Sequence, residues 1–237
     1  MLRKKRREGG RDMTREKLAD RKLPDYTKGE EIMNMVTHIL GSAAGIVSLT
    51  LGAVIAVWFG DGYSIAGALV YGISMILLYT FSSVYHGLGA NLLAKKVMQV
   101  IDHCSIFILI AGTYTPIVLC SIRAFDPLLG WTLFGVVWAA AAVGIVLNSI
   151  DIRRYKKFSA VCYLTMGWCI VFAYRALDFL IARGGTGLLL AGGLCYTVGA
   201  FIYYFFKKTR YMHSVFHIFV LAGSINHMLY ILLYVLR

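Results

Sequence analysis

The chain has 237 residues, 59% of them hydrophobic and only 15% charged, with a mean hydropathy of +0.69. Soluble domains carry about 25% charged residues, so this composition excludes an ordinary soluble enzyme, a disordered chain and a secreted disulfide scaffold. The formal net charge of +12 would point to nucleic acid if it lay on one soluble face. It is instead divided between a basic N-terminal stretch and short loops, the pattern that orients membrane proteins, and nucleic acid is not an expected partner.

In chain order, residues 1–31 come first, with 11 Lys/Arg and 7 Asp/Glu, and read as a basic tail. The apolar run that follows is too long and too far in for a cleaved leader, so no cleavage is expected. Residues 32–237 read as one all-α, polytopic membrane domain. A spanning helix needs about 20 mostly apolar residues. Seven stretches qualify: 34–59, 64–86, 98–121, 128–149, 158–180, 188–206 and 212–236. The fifth is the least clean, because Arg175 and Asp178 fall near its end, spaced i, i+3 where they can pair. Lys and Arg then give the orientation. One side holds the tail, Lys95 and Lys96, the Arg153–Lys157 stretch, and Lys207, Lys208 and Arg210. The alternate side holds Arg123, Arg175, Arg183 and Arg237, a division of 20 against 4. By the positive-inside rule the N-terminus is cytoplasmic and the C-terminus outside. The expected location is the cell membrane.

Small residues inside the spans, as in Gly41-x3-Gly45 and Gly192-Gly193, allow close helix approach. The five cysteines (Cys104, Cys120, Cys162, Cys169, Cys195) lie in apolar stretches with no CxxC pair, and read as buried hydrophobes. Pro116 is expected to kink the third span, with Thr113 or Thr115 satisfying freed backbone groups.

Ionisable side chains inside spans are costly and mark function. Here they are His38, His86, Asp102, His103, His213, His217 and His227. Four of these share one layer. The second span runs inward, so His86 lies near its cytoplasmic end; the third and seventh start there, bringing Asp102, His213 and His217 to the same level at about 1.5 Å per residue. His213 and His217, at i, i+4, stack on one helical face and suit capture of a metal. That spacing also occurs at interfaces and in polar cavities. His86 would complete a three-histidine site with a fourth position open to water, the catalytic type of zinc site. Asp102 is placed to hydrogen-bond that water, and Ser82, one turn before His86, to orient it or a ligand. Zinc lowers the pKa of such a water to about 7. His103, about 100° around the helix from Asp102, is expected to face the loop or headgroups. His38 reads as a supporting donor or an interfacial residue. His227, 14 residues beyond His213 and therefore about 21 Å deeper, is expected to bond within the bundle.

Ser82-x3-His86, Asp102 and His213-x3-His217 together resemble the signature of the hemolysin III family. That family belongs with the progestin and adipoQ receptors and the alkaline ceramidases in a superfamily of membrane hydrolases. The resemblance covers about residues 30–237, including the Glu31…His38 start of the first span and Gly112-Thr113-Tyr114-Thr115-Pro116. It implies seven helices, a cytoplasmic N-terminus, and one zinc on His86, His213 and His217. It further implies membrane lipids as partners, a role in lipid homeostasis and, by analogy with the relatives, hydrolysis of a lipid amide with Asp102 moving the proton. Two alternatives stand beside this: a non-catalytic sensor of membrane state, and a cytolysin. Seven permanent spans without an export signal make the last physically awkward.

Overall fold

The structure is a computed structural model and describes residues 18–206 and 208–237. After a 3-10 turn at Leu18–Asp20 it runs through α1 (Lys28–Phe59), α2 (Gly62–Gly87) and α3 (Leu93–Pro116). A π-helical stretch, Ile117–Ile122, carries α3 into the single turn α4 (Arg123–Phe125). Then follow α5 (Pro127–Asp151), α6 (Lys156–Trp168), a 3-10 stretch Cys169–Phe172, and α7 (Tyr174–Arg183). The chain closes with α8 (Thr186–Phe206) and α9 (Met212–Tyr230), the last extended by a π-helical Ile231–Val235. Six of these segments are long and apolar enough to cross a membrane. The described chain is all-helical and multi-pass.

The first span begins at Lys28 rather than near 34, because Thr27 and Glu30 form a capping box. The Glu30 amide donates to Thr27 Oγ1 (3.3 Å) and the Thr27 amide to Glu30 Oε2 (2.8 Å), satisfying two of the N–H groups a helix start leaves open. Asp61 caps α2 through the Ser64 amide (2.9 Å), and Asp126 caps α5 through the Leu129 amide (3.0 Å). Residues 1–17 of the expected tail, and Lys207, lie outside the described residues.

The fifth expected span, 158–180, is not one helix. It divides into α6 and α7, of 13 and 10 residues, around the 3-10 stretch. The Tyr114 hydroxyl, from α3, sits at the break: it donates to Gly167 O (3.0 Å) and accepts from the Ile170 amide (3.2 Å). Irregular backbone at membrane depth is tolerated where protein supplies such partners. Arg175 and Asp178, expected as a possible pair, are both exposed on α7, and no ion pair joins them among the described residues. Pro116 ends the regular turns of α3 and the chain widens into π geometry. Thr113 and Thr115 hydroxyls donate to Leu109 O and Ala111 O (2.8 Å each), and Trp138 Nε1 donates to Thr115 Oγ1 (3.1 Å).

Tyr71, Met75, Tyr79, Phe107, Val118 and Ile231 lie at the bundle centre, whereas Leu40, Ile46 and Val57 of α1 face outward. Outward apolar side chains are what a lipid-facing surface requires. A Cβ at Gly41 would run into the Tyr79 ring, and one at Gly192 into His227, so close contact requires the smallest residue at both places. Tyr79 then reaches across to α9, donating to Ser224 Oγ (2.7 Å). The five cysteines are all free, Cys104 buried and the others half-buried.

One end of the bundle gathers the start of α1, the end of α2, the starts of α3 and α9, and the α5–α6 turn. Lys96 Nζ donates to Ala19 O, Arg153 Nη2 to Lys22 O (2.6 Å), and the Tyr211 amide to Glu30 Oε1 (2.8 Å). Residues 18–27 therefore lie across this end. α6 begins there too, with Ser159 Oγ donating to Asn148 Oδ1 (2.6 Å). Gly185, just past α7, packs on Tyr234 at the other end of α9.

Candidate metal centre

His86 sits on the last turn of α2, and His213 and His217 on the first two turns of α9. Each offers one ring nitrogen, and the three nitrogens lie within 4.8 Å of one another. His86 and His217 are buried and His213 half-buried. Residues more than 120 positions apart in the chain thus meet because the end of α2 and the start of α9 share one end of the bundle.

In two of the three rings, hydrogen bonds to acceptors mark which nitrogen is free. Glu31 Oε2 lies 2.6 Å from His86 Nδ1, against a longer 3.4 Å contact from Asn34 Nδ2, and a carboxylate only accepts, so the shorter bond assigns the proton to that nitrogen. His86 Nε2 is then a bare lone pair, buried with no partner. His217 Nδ1 lies 3.3 Å from the Asn34 carbonyl, which also only accepts, so its Nε2 is bare by the same reasoning. That Nε2 faces His213 Nε2 at 3.1 Å. Two tetrahedral ligands with bonds of about 2.0–2.1 Å stand roughly 3.3 Å apart, close to the separation found. Converging imidazole lone pairs, with the opposite nitrogens of two rings engaged by acceptors, are the donor set of a metal-binding histidine cluster. The residues fit a metal ion.

Much of the support comes from α1. Asn34 Oδ1 accepts from Ser214 Oγ (2.6 Å), tying α1 to α9 between the two α9 histidines. Glu31 Oε1 accepts from Lys95 Nζ (2.7 Å), and the lysine side chain is only 2% exposed. His38 is buried and stacked on His217 at 3.6 Å between ring centroids and perpendicular to Tyr79 at 4.9 Å; neither ring nitrogen makes a hydrogen bond among the described residues, so it packs against the site and is neither an interfacial residue nor a donor to it. Tyr26 covers the cluster from outside, its ring stacked on His213 (5.1 Å) and tilted against His86 (5.8 Å). Burial pushes its phenol up, reinforced by Tyr203, Tyr85, Glu31 and Asp102. A cleft of about 350 Å³ between residues 25–30 and the Lys208–Arg210 turn reaches His213.

Asp102 is half-buried on α3, its carboxylate 3.6 Å from His103 Nδ1, and its charge bears on the Tyr26 ring that covers the histidines. Ser82 is buried one turn before His86. Among the described residues no hydrogen bond joins either to the three histidines. His103 Nδ1 bonds Gln99 O (2.8 Å) at a partly exposed position. His227 Nε2 bonds Leu189 O (3.0 Å) within the bundle. Asn34, Lys95, Ser214 and Tyr26 were not marked by the sequence. Lys95 reads there only as a loop charge, and the available hint was Glu31, a carboxylate at the mouth of an apolar run.

The model of the family described as Haemolysin-III related matches residues 26–228. The chain belongs to that family. The Haemolysin-III match spans the whole site, from Tyr26 to His217. Relatives include Hemolysin-3 of Bacillus cereus, 40% identical over 207 residues (87% of this chain and 92% of that one). The Hemolysin-3 homolog of Bacillus subtilis (strain 168) is 35% identical over 212 residues, 90% and 97% of the two chains. The human Monocyte to macrophage differentiation factor is 26% identical over 170 residues, 68% and 66%.

Proposed function

We propose that this protein holds one zinc ion on His86, His213 and His217 and acts on membrane lipid as a zinc-dependent hydrolase of lipid amides, serving lipid homeostasis. The observation that carries the reading is the convergence of three imidazole nitrogens within 4.8 Å, two with their opposite nitrogens held by Glu31 and Asn34. A zinc there supplies a Lewis acid and an activated water. Asp102, at the same level on α3, takes and returns the proton, and Ser82 orients the ligand. The polar cleft beside His213 offers water a way in.

The topology that goes with this has seven crossings, the N-terminus cytoplasmic. Two observations support it. The α6–α7 stretch starts beside Asn148 at the histidine end and finishes beside Tyr234 at the other. Lys/Arg falls 20 against 4 on the two sides, as the positive-inside rule requires. The broken helix is then the fifth span.

The test is the metal content of the detergent-purified protein beside His86→Ala and His213→Ala/His217→Ala variants that still fold. The reading requires about one zinc per chain, lost in both variants, and release of fatty acid from a lipid-amide substrate by the wild type. A well-folded wild type without metal removes it. The deep burial of His86 and His217, 2% exposed each, favours a second reading, a structural zinc in a sensor of membrane state. Zinc at full occupancy with no turnover on any lipid amide would select that one. Pore formation, the sense of the relatives' printed name, is checked by dye release from liposomes, and none is expected.

A further inference from the structure

We infer that Lys95 and Glu31 are positioning residues for the metal centre: through Glu31, Lys95 fixes the ring of His86 and sets how tightly the three histidines hold a metal. This rests on the preceding reading that the site takes a metal.

The contacts of Lys95 surround His86 in sequence as well as in space. Its ammonium donates to Glu31 Oε1 (2.7 Å) and to Leu88 O (2.9 Å), and stands 5.0 Å from the centroid of the Tyr85 ring. Residues 85 and 88 bracket His86, and Glu31 bonds His86 itself. One side chain at the start of α3 thus ties down the end of α2 and the carboxylate of α1 together. A buried ion pair contributes little net stability and is often replaceable by apolar packing, so stability alone does not account for a lysine 2% exposed. Orientation does. A carboxylate has two oxygens and can turn; with Oε1 held by the ammonium, Oε2 is aimed at His86 Nδ1. The proton on Nδ1 leaves Nε2 as the ligating atom, and hydrogen bonding to an anion makes that nitrogen more basic. Remove the ammonium, and Oε1 loses the contact that holds the carboxylate plane, so Oε2 is free to turn away from His86 Nδ1.

The experiment uses the full chain in detergent, with zinc affinity from competition against a chromophoric chelator and cobalt(II) absorption as a reporter of the ligand field. Loss of such supporting partners lowers metal affinity about 10- to 100-fold. That is the expected result for Glu31→Gln and for Lys95→Met, each with an altered cobalt spectrum. Lys95→Arg, which can donate to the same two oxygens, should recover most of the affinity. The Glu31→Gln/Lys95→Met double variant should lose little beyond the worse single one, because both act through one ring. Lys95→Met preserves side-chain length, and its thermal midpoint separates misfolding from mispositioning. A role in packing alone would lower the midpoint while leaving the cobalt spectrum of the folded fraction as in wild type, and that result overturns the inference. So do wild-type affinities in both single variants. If the wild type itself binds neither metal, the metal reading falls, and this inference with it.

Discussion

The two ends of the bundle use the same residue types to opposite effect. At the end away from the histidines, Asp61 and Arg123 approach to 3.8 Å, but their side chains are 59% and 22% exposed. The Arg123 guanidinium lies 3.5 Å from the Tyr63 ring centroid and its Nε donates to Leu119 O. These polar groups act locally, closing a helix or covering a turn. At the histidine end, Lys95, Glu31 and His86 form a chain with links of 2.7 and 2.6 Å. It joins three helices and finishes on a nitrogen that has no partner. A satisfied exposed pair is worth about 0–1 kcal/mol. A buried chain that ends in an unfilled lone pair, beside two further imidazoles, is instead an arrangement that could hold a cation. Burial, convergence and an unpartnered ring nitrogen distinguish a site from a clasp.

Variants can break or sharpen that contrast. The largest effect is expected from His217→Ala, which removes one of two facing Nε2 atoms. Metal content should fall from about one per chain to background, read by elemental analysis of the purified protein. Next is Gly41→Leu. The added side chain meets the Tyr79 ring, and overpacking of this kind costs roughly 1–3 kcal/mol, seen as a lower thermal midpoint in detergent and a parallel loss of metal, since α1 carries Glu31 and Asn34. Tyr114→Phe leaves Gly167 O and the Ile170 N–H unpaired in the break between α6 and α7, at about 1–3 kcal/mol, yet should retain the metal. The smallest effect belongs to the far end. Arg123→Ala should change stability by at most about 1 kcal/mol and leave metal binding unaltered. Asp61 adds a pH signature. The Ser64 amide holds its carboxyl below the usual 3.8 against the opposing effect of burial, with the Ser64 hydroxyl, the Tyr63 amide and Arg123 adding to the lowering. The group therefore stabilises the fold fully above that pH and loses its contribution as pH falls through the lowered value. A melting series from pH 5 to pH 2, run beside Asp61→Asn, reads the difference.

The sequence carried what is local or periodic. Apolar runs gave the helices and charge asymmetry the common level of His86, His213 and His217, whereas the apolar run alone places the start of α1 near 34, six residues late, because it leaves the Thr27–Glu30 capping box unweighed. What escaped is long-range. The Glu31–Lys95 bond joins residues 64 apart, and Ser214 finds Asn34 across 180; no local period encodes either. The break in the expected fifth span escaped for a related reason. Arg175 and Asp178 hinted at irregularity, but the break lies at 169–173, where the composition is apolar throughout and the partner that makes a break tolerable is a tyrosine on another helix. Lys95 is hidden in the sequence because a lysine in a short loop is normally solvated, and only packing against Tyr85 and Leu88 shows that this one is not.

The Tyr211 amide bonds to a carboxylate that lies 181 residues earlier in the chain, and two of the three imidazoles follow within a few residues of it. A ribosome has made most of the polypeptide before either exists. During synthesis α1 and α2 come first, and they carry Glu31 and only one of the three imidazoles, His86. On the proposed metal reading, the three imidazoles can converge only when the final helix inserts and its first turn meets α1. A chain stopped short, or one whose last helix fails to enter, keeps its hydrophobic spans but lacks two of the three imidazoles, so metal occupancy, if the proposed function holds, would double as a record of complete translation and correct insertion.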